Sequence, residues 1–136
     1  MKRKLCFIFS FIFLLTTILT TTIFANDVSL CNNNTMSTYT SFSISSTGEA
    51  QVTYEYAGYK NITTGAVITI IIEKRNFLFF WEEIDTEYLA FPDESYMGTY
   101  GYQLSSKGTY RCTVTYRIGG TGGEDDVITF EDTDTY

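Results

Sequence analysis

Histidine is absent from this chain of 136 residues. Its absence excludes Ser-His-Asp and Cys-His catalysis and the usual zinc sites, all of which use an imidazole. A phosphate-binding loop is missing too, because the glycine-rich run 119–123 is not followed by Lys-Ser or Lys-Thr. We therefore expect a protein that is not an enzyme and that uses no cofactor.

Basic residues are also few. The chain has nine Lys and Arg against 16 Asp and Glu, which gives a net charge of −7 at pH 7. Three of the basic residues, Lys2, Arg3 and Lys4, lie at the N-terminus, so the rest of the chain is more acidic still. Such a surface repels nucleic acid and anionic lipid. We expect no nucleic-acid partner.

The first 25 residues have the layout of a secretory signal peptide. The three cations precede an uncharged apolar run, residues 5–24, and small Ala25 suits the position before a cleavage site. Cleavage would leave residues 26–136 as a single secreted, extracellular domain, which would meet a membrane only through the leader before cleavage. An uncleaved anchor is the alternative, because the apolar run is long enough to span a bilayer.

Only three cysteines are present. Cys6 belongs to the leader, which leaves Cys31 and Cys112. An even number of cysteines in an exported chain favours a disulfide bond, so we predict one bridge between these two residues. Two buried thiols are the alternative.

Alternation with a period of two residues recurs along the mature part, and no segment has a helical stripe. We predict about seven strands, around residues 39–45, 51–56, 66–74, 77–84, 96–104, 110–118 and 127–131. The strand at 66–74 is apolar on both faces, which predicts a central position in its sheet. The acidic tail 131–134 is expected to fray. The pattern predicts an all-β fold, a two-sheet antiparallel sandwich, with a small closed barrel as the alternative.

The strands at 66–74 and 77–84 form the strongest predicted hairpin, with a tight turn at residues 74–76. In this interpretation Phe77, Phe79 and Trp81 share one face of the second strand. Leu78, Phe80 and Ile84 share the other. These side chains exceed what one sheet face can bury, so either both faces are covered or one exposes an apolar patch. We expect them to pack in the core.

The segment Gly108-Thr109-Tyr110-Arg111-Cys112 resembles the end of the immunoglobulin-type motif. There the tyrosine forms a corner and the cysteine joins the two sheets. The resemblance implies an Ig-like sandwich. Two features depart from the motif, because Cys31 lies near the mature N-terminus and Trp81 is far from it in sequence.

A broader resemblance covers residues 66–84 and 107–130. Together with the leader, the Ile-rich hairpin that runs into Trp81 and the Lys-Gly-Thr-Tyr-Arg segment resemble small secreted proteins of Gram-positive bacteria whose function is uncharacterised. This resemblance implies a β-sandwich and an extracellular location, and it implies no activity.

Carboxylates are the abundant reactive groups. Glu83 and Asp85 could share a strand face beside Trp81, as the acids of a glycoside hydrolase would, although a solvated strand end is the preferred interpretation. Glu124, Asp125 and Asp126 follow the glycines and are weak candidates for calcium ligands. We prefer a charged hairpin loop that discourages edge pairing, and we expect no metal.

Aromatic side chains make up 17% of the chain, and no catalytic set accompanies them. Exposed aromatics on β-sandwich modules often bind ligands. The candidate contact residues are Phe79, Trp81, Tyr96, Tyr100 and Tyr102. We expect a non-catalytic extracellular binding domain whose unknown partner is a glycan or a protein surface. A small bacteriocin-like or toxin-like effector is the alternative.

Overall fold

The structure, a computed structural model, describes residues 32–136. Two antiparallel sheets contain all of the strands: β1 (Thr35–Ile44), β2 (Glu49–Gly58), β3 (Thr63–Arg75), β4 (Trp81–Phe91), β5 (Ser95–Gln103), β6 (Thr109–Gly120) and β7 (Asp126–Thr135). The first sheet has the order β1-β2-β5 and the second has the order β4-β3-β6-β7. The predicted two-sheet sandwich of about seven strands is confirmed. The predicted signal peptide lies outside the described residues.

The core lies between the two sheets and is built from alternate residues of the inner strands. Its fully buried members include Val52 and Tyr56 on β2, Ile70 on β3, and Val114 and Tyr116 on β6. All buried residues of this cluster lie between Phe42 and Ile118. No helix within residues 32–136 is long and apolar enough to cross a membrane.

Strand β3 occupies the centre that its two apolar faces predict. It pairs with β4 on one side and with β6 on the other. Ile68, Ile70 and Ile72 are fully buried between the sheets. The alternate residues Val67 and Ile71 face away from the other sheet and are partly exposed.

The predicted position of the β3–β4 turn is wrong. Strand β3 continues to Arg75 and β4 begins only at Trp81, so residues 77–80 form the loop of the hairpin rather than a strand. Their side chains are not in the core. Phe77 is 87% exposed, Leu78 56%, Phe79 71% and Phe80 67%.

Asn76 explains why this apolar run forms a loop. Its side-chain oxygen accepts hydrogen bonds from the N–H groups of Leu78 and Phe80, at 3.0 and 3.1 Å. Its own N–H donates to the Phe80 carbonyl at 2.9 Å. Asparagine side chains stabilise turns in this way, and here the turn outweighs the strand preference of the aromatic residues.

The C-terminal tail is ordered in a strand, which corrects the expectation that residues 131–134 fray. Strand β7 runs to Thr135 and pairs with β6 as far as Thr109. The Asp134 carboxylate also accepts a hydrogen bond from the Ile44 N–H of β1 at 2.7 Å. This contact links the two sheets at one edge of the sandwich.

Tyr110 lies at the start of β6 and is buried. Its hydroxyl donates to the backbone carbonyl of Ser106, four residues earlier. This is the contact that the Gly-x-Tyr-x-Cys segment predicts. The strand pairing differs from the constant-type immunoglobulin arrangement, because β4 pairs with β3 rather than joining the sheet of the first two strands.

Cys112 is a fully buried thiol on β6. Cys31, its predicted disulfide partner, lies outside the described residues, so the bridge stays a prediction.

Candidate functional site

The largest run of exposed apolar side chains within residues 32–136 is the loop of the β3–β4 hairpin, residues 77–80. We call these four residues the apolar tip. Other exposed apolar residues lie along the strands, either singly, as Met36 and Tyr88 do, or as the adjacent pair Tyr96 and Met97. Single exposed hydrophobic residues are normal on a protein surface, whereas contiguous ones indicate an interaction site.

The apolar tip has a defined conformation. Besides the hydrogen bonds of Asn76, the Phe79 N–H donates to the Asn76 carbonyl at 3.0 Å. The Arg75 guanidinium lies 4.8 Å from the centre of the Phe79 ring, a cation–π distance. Phe79 itself has a φ of 66°, in the left-handed region that non-glycine residues rarely adopt.

Trp81 lies at the base of the tip and is not a free platform. The side chain is half-buried, and the guanidinium of Arg111 lies 4.6 Å from the indole centre. Arg111 is held in place by Glu73, through an Nε–Oε2 contact of 2.6 Å, and by Glu131 at 3.5 Å. The hydrogen bond from Arg111 to Glu73 raises the pKa of Arg111, although desolvation opposes it. One face of the indole is therefore covered by Arg111, which is held there by Glu73 and Glu131.

The three candidate tyrosines of β5 do not join this site. They lie opposite buried residues of β2, so they point between the sheets. Tyr96 stacks on Phe91 with ring centres 3.8 Å apart. The Tyr100 hydroxyl donates to Asp85, and burial together with this bond raises the pKa of Tyr100. Tyr102 is partly buried against the core.

The candidate contact residues thus separate into two groups. Phe79 and Trp81 lie on the hairpin, whereas Tyr96 and Tyr100 contact residues of β4 and Tyr102 packs against the core. Phe77, Leu78 and Phe80 were missed as contact residues, because the predicted strand assigned them to the core. Asn76 was the available signal, since asparagine before an apolar run favours a loop there.

A bulge separates the carboxylates that were considered for glycoside hydrolysis. Asp85 lies opposite Ile72, which faces inwards, whereas Glu83 lies opposite Glu73, which faces outwards. Ile84 is the extra residue between them. Glu83 and Asp85 therefore do not share a face, and they cannot flank one substrate bond.

The acidic loop before β7 has structural partners. The Asp126 carboxylate accepts hydrogen bonds from the N–H groups of Asn33 and Asn34, at 2.9 and 2.8 Å. Asp125 forms an ion pair with Arg117 at 3.5 Å, and Glu124 is exposed. The described residues contain no group of three or more His, Cys, Asp or Glu side chains placed to hold a metal ion.

The surroundings of Asp126 lower the pKa of its carboxyl group. Burial opposes its ionisation, but the hydrogen bonds from Asn33 and Asn34 outweigh this effect, so the pKa of Asp126 lies below its usual value. A carboxylate that accepts backbone N–H groups is favoured in its charged form. Asp126 thus fixes the N-terminal segment against β7.

A cavity of about 340 Å³ opens at the end of the sandwich opposite the tip. Phe91, Arg117 and Asp125 are among its lining residues. The Arg117–Asp125 ion pair satisfies the charges there, and none of the candidate contact aromatics lines the cavity. The cavity therefore does not coincide with the apolar tip.

No protein-family model matches the chain, and no curated protein matches it. Among solved structures, the chain is similar to a beta-glucosidase from Listeria innocua in complex with isofagomine, with 15% sequence identity and a TM-score of 0.41. The alignment covers 70% of this chain and 16% of the beta-glucosidase, so the chain spans a small part of that protein. A likeness of this size carries no argument about function.

Proposed function

We propose that the chain is a secreted, non-catalytic binding module that contacts a cell surface through the apolar tip. The observation that carries this proposal is the run of four consecutive exposed apolar side chains on one ordered loop. Burying each of them against a partner would contribute about 1.5–3 kcal/mol, before the costs of association are subtracted. A surface loop with no partner gains nothing from such residues.

The backbone of Phe79 supports the proposal independently. A non-glycine residue in the left-handed region costs about 1–2 kcal/mol. Phe79 holds such a conformation while its ring is 71% exposed. Local strain of this kind is typical of functional positions, where the side chain is needed in spite of its cost. The cation–π contact with Arg75 offsets part of that cost.

The same proposal includes secretion, a Gram-positive bacterial source and an Ig-like sandwich. The leader-like first 25 residues support secretion. The bond from the Tyr110 hydroxyl to the Ser106 carbonyl supports the Ig-like interpretation.

Cell binding tests the proposed function. Labelled protein spanning residues 26–136 is incubated with intact bacterial cells, with animal cells and with purified cell-wall glycan, and the bound fraction is measured. The double variant Phe77→Ser/Phe79→Ser removes two tip rings. Tyr88→Ser is the matched control, because Tyr88 and Phe79 are both 71% exposed and Tyr88 lies outside the tip.

We expect the wild type and Tyr88→Ser to bind at least one of these surfaces equally well. The double variant should bind at least about tenfold more weakly, because it loses two buried rings. Absence of binding by the wild type to all three surfaces, or equal binding by the double variant, would contradict the proposal.

A further inference from the structure

Resting on the proposed function, we infer that the surface contacted by the apolar tip is a lipid bilayer, and that the tip inserts into its interfacial region. The tip is a loop at the end of a hairpin, with side chains exposed by between 56% and 87%. It forms no groove that would enclose a segment of a partner. A projecting apolar loop is suited to a deformable apolar medium, in which its side chains can be surrounded on all sides.

The basic residues are gathered at the same end of the molecule. The described residues contain six Lys and Arg, namely Lys60, Lys74, Arg75, Lys107, Arg111 and Arg117. Lys74 and Arg75 precede the tip and are separated from it by Asn76. Lys107 belongs to the neighbouring β5–β6 loop, which is joined to the hairpin by a 2.6 Å hydrogen bond from Lys74 Nζ to Ser106 Oγ. Arg111 covers Trp81 at the base of the tip.

Acidic residues lie at this end too, including Glu131, which shares Arg111 with Glu73, and Asp134, which lies opposite Tyr110. Glu73 is bonded to Arg111, and Glu82 lies opposite Lys74 across the hairpin. Glu83, also near the tip, is exposed and accepts a hydrogen bond from Thr86 at 2.8 Å. Even so, four of the six basic residues in the described part of the chain, Lys74, Arg75, Lys107 and Arg111, lie at this end. Lipid phosphates attract such cations once an apolar segment has brought them to the membrane surface.

The order of residues along the hairpin matches the layers of a membrane interface. The apolar tip comes first, and Arg75 and Trp81 flank it on the two strands. Tryptophan and long basic side chains are enriched where the hydrocarbon meets the headgroups. This layering favours a bilayer over a protein partner, which would not require a cation on one side of the loop and a tryptophan on the other.

Vesicle flotation tests the inference. Protein spanning residues 26–136 is mixed with vesicles of phosphatidylcholine and phosphatidylglycerol in equal amounts, and the floating fraction is measured. Trp81 is the only tryptophan of the chain, so its fluorescence reports insertion separately. The variants are Phe77→Ser at the tip and Lys107→Gln beside it. Tyr88→Ser and Lys60→Gln are matched controls, because Lys60 lies in the β2–β3 loop at the opposite end.

We expect the wild type to float and its Trp81 emission to shift to shorter wavelength. Phe77→Ser should reduce partitioning about tenfold. Lys107→Gln should reduce it about fivefold. The two controls should match the wild type.

The outcomes separate the inference from the proposed function. A wild type that stays with the buffer, yet binds cells in a tip-dependent way, would overturn the lipid assignment and leave the binding module with a protein or glycan partner. A wild type that binds neither vesicles nor cells would overturn both. Equal losses in Phe77→Ser and Tyr88→Ser would also overturn the inference, because insertion would then not depend on the tip.

Discussion

Phe79 shows how one residue combines local strain with exposure. Its φ of 66° belongs to a region that glycine and asparagine enter readily and that other residues enter at a cost. Phe77, two residues earlier in the same loop, is similarly exposed and has no positive φ. Substitutions at Phe77 therefore serve as a reference for measuring the free-energy cost of the left-handed backbone at Phe79.

Replacing each phenylalanine by glycine gives the first prediction. Glycine at position 77 should destabilise the protein by about 0.5–1 kcal/mol, because it adds freedom to the unfolded chain. Glycine at position 79 adds the same freedom and removes the cation–π contact with Arg75, but it relieves the left-handed strain, so Phe79→Gly should be more stable than Phe77→Gly by about 0.5–1 kcal/mol. Urea unfolding of the two variants measures the difference. Equal stabilities, or a less stable Phe79→Gly, would show that the backbone at Phe79 is not strained.

Several elements follow directly from the sequence. The alternation on β2, β5 and β6 predicts strands, and the structure confirms them; the inner residues of β2 and β6 are buried, whereas those of β5 are at most partly buried. The double apolar face of β3 predicts its central position. These predictions succeed because burial on a pleated strand repeats every two residues.

The β3–β4 hairpin contains two features that the periodic pattern of the sequence does not predict. Composition favours a strand at residues 77–80, whereas the side chain of Asn76 closes a loop there. The bulge at Ile84 then reverses the faces expected for Glu83 and Asp85. Neither feature has a periodic signature, because both depend on hydrogen bonds between particular residues. The candidate site was therefore only partly predictable: Phe79 and Trp81 were found, but the rest of the tip was assigned to the core.

The β5–β6 connection provides the second prediction. Tyr110→Phe removes the hydroxyl that donates to the Ser106 carbonyl and leaves the buried ring in place. We expect a loss of about 0.5–1.5 kcal/mol in the free energy of unfolding. Thermal and urea unfolding measure it, with Tyr88→Phe as a control that removes an exposed hydroxyl. If both variants lost the same amount, the corner contact would have no particular role.

The anchoring of the N-terminal segment gives a third prediction, which concerns pH. The folded-state pKa of Asp126 lies below its ordinary value of 3.8. Its contribution to stability is therefore complete above that value and is lost as the pH falls through the folded-state pKa. Asp126→Asn should cost about 1.5–3 kcal/mol at neutral pH, the range for hydrogen bonds to a charged group.

Urea midpoints at neutral pH and in acid test this prediction. The difference between wild type and Asp126→Asn should shrink as the pH falls below about 4. Asp93→Asn is the control, because the Asp93 side chain is exposed in the β4–β5 turn. A difference that stayed constant with pH would mean that the charge of Asp126 does not stabilise the fold.

At the scale of the whole molecule, the two ends of the sandwich differ. One end has the apolar tip with Lys74, Arg75 and Lys107 around it. The other holds the N-terminal segment, fixed to Asp126. Strand β3 separates the two ends by about 40 Å, the length of 13 residues in a strand. The two ends of the long axis therefore differ in chemistry, and the proposed function assigns contact with the partner to the tip.

A polarity-sensitive fluorophore at the tip tests most directly whether the tip is the part of the molecule that contacts the partner. The label is attached at Leu78→Cys and, in a separate variant, at Tyr88→Cys, both with Cys31→Ser. Cys112 should not react, because burial and the nearby Asp132 raise the pKa of its thiol to about 12. When cells or vesicles are added, the label at position 78 should become brighter and shift to shorter wavelength, whereas the label at position 88 should not change. A response at position 88 with none at position 78 would contradict the account.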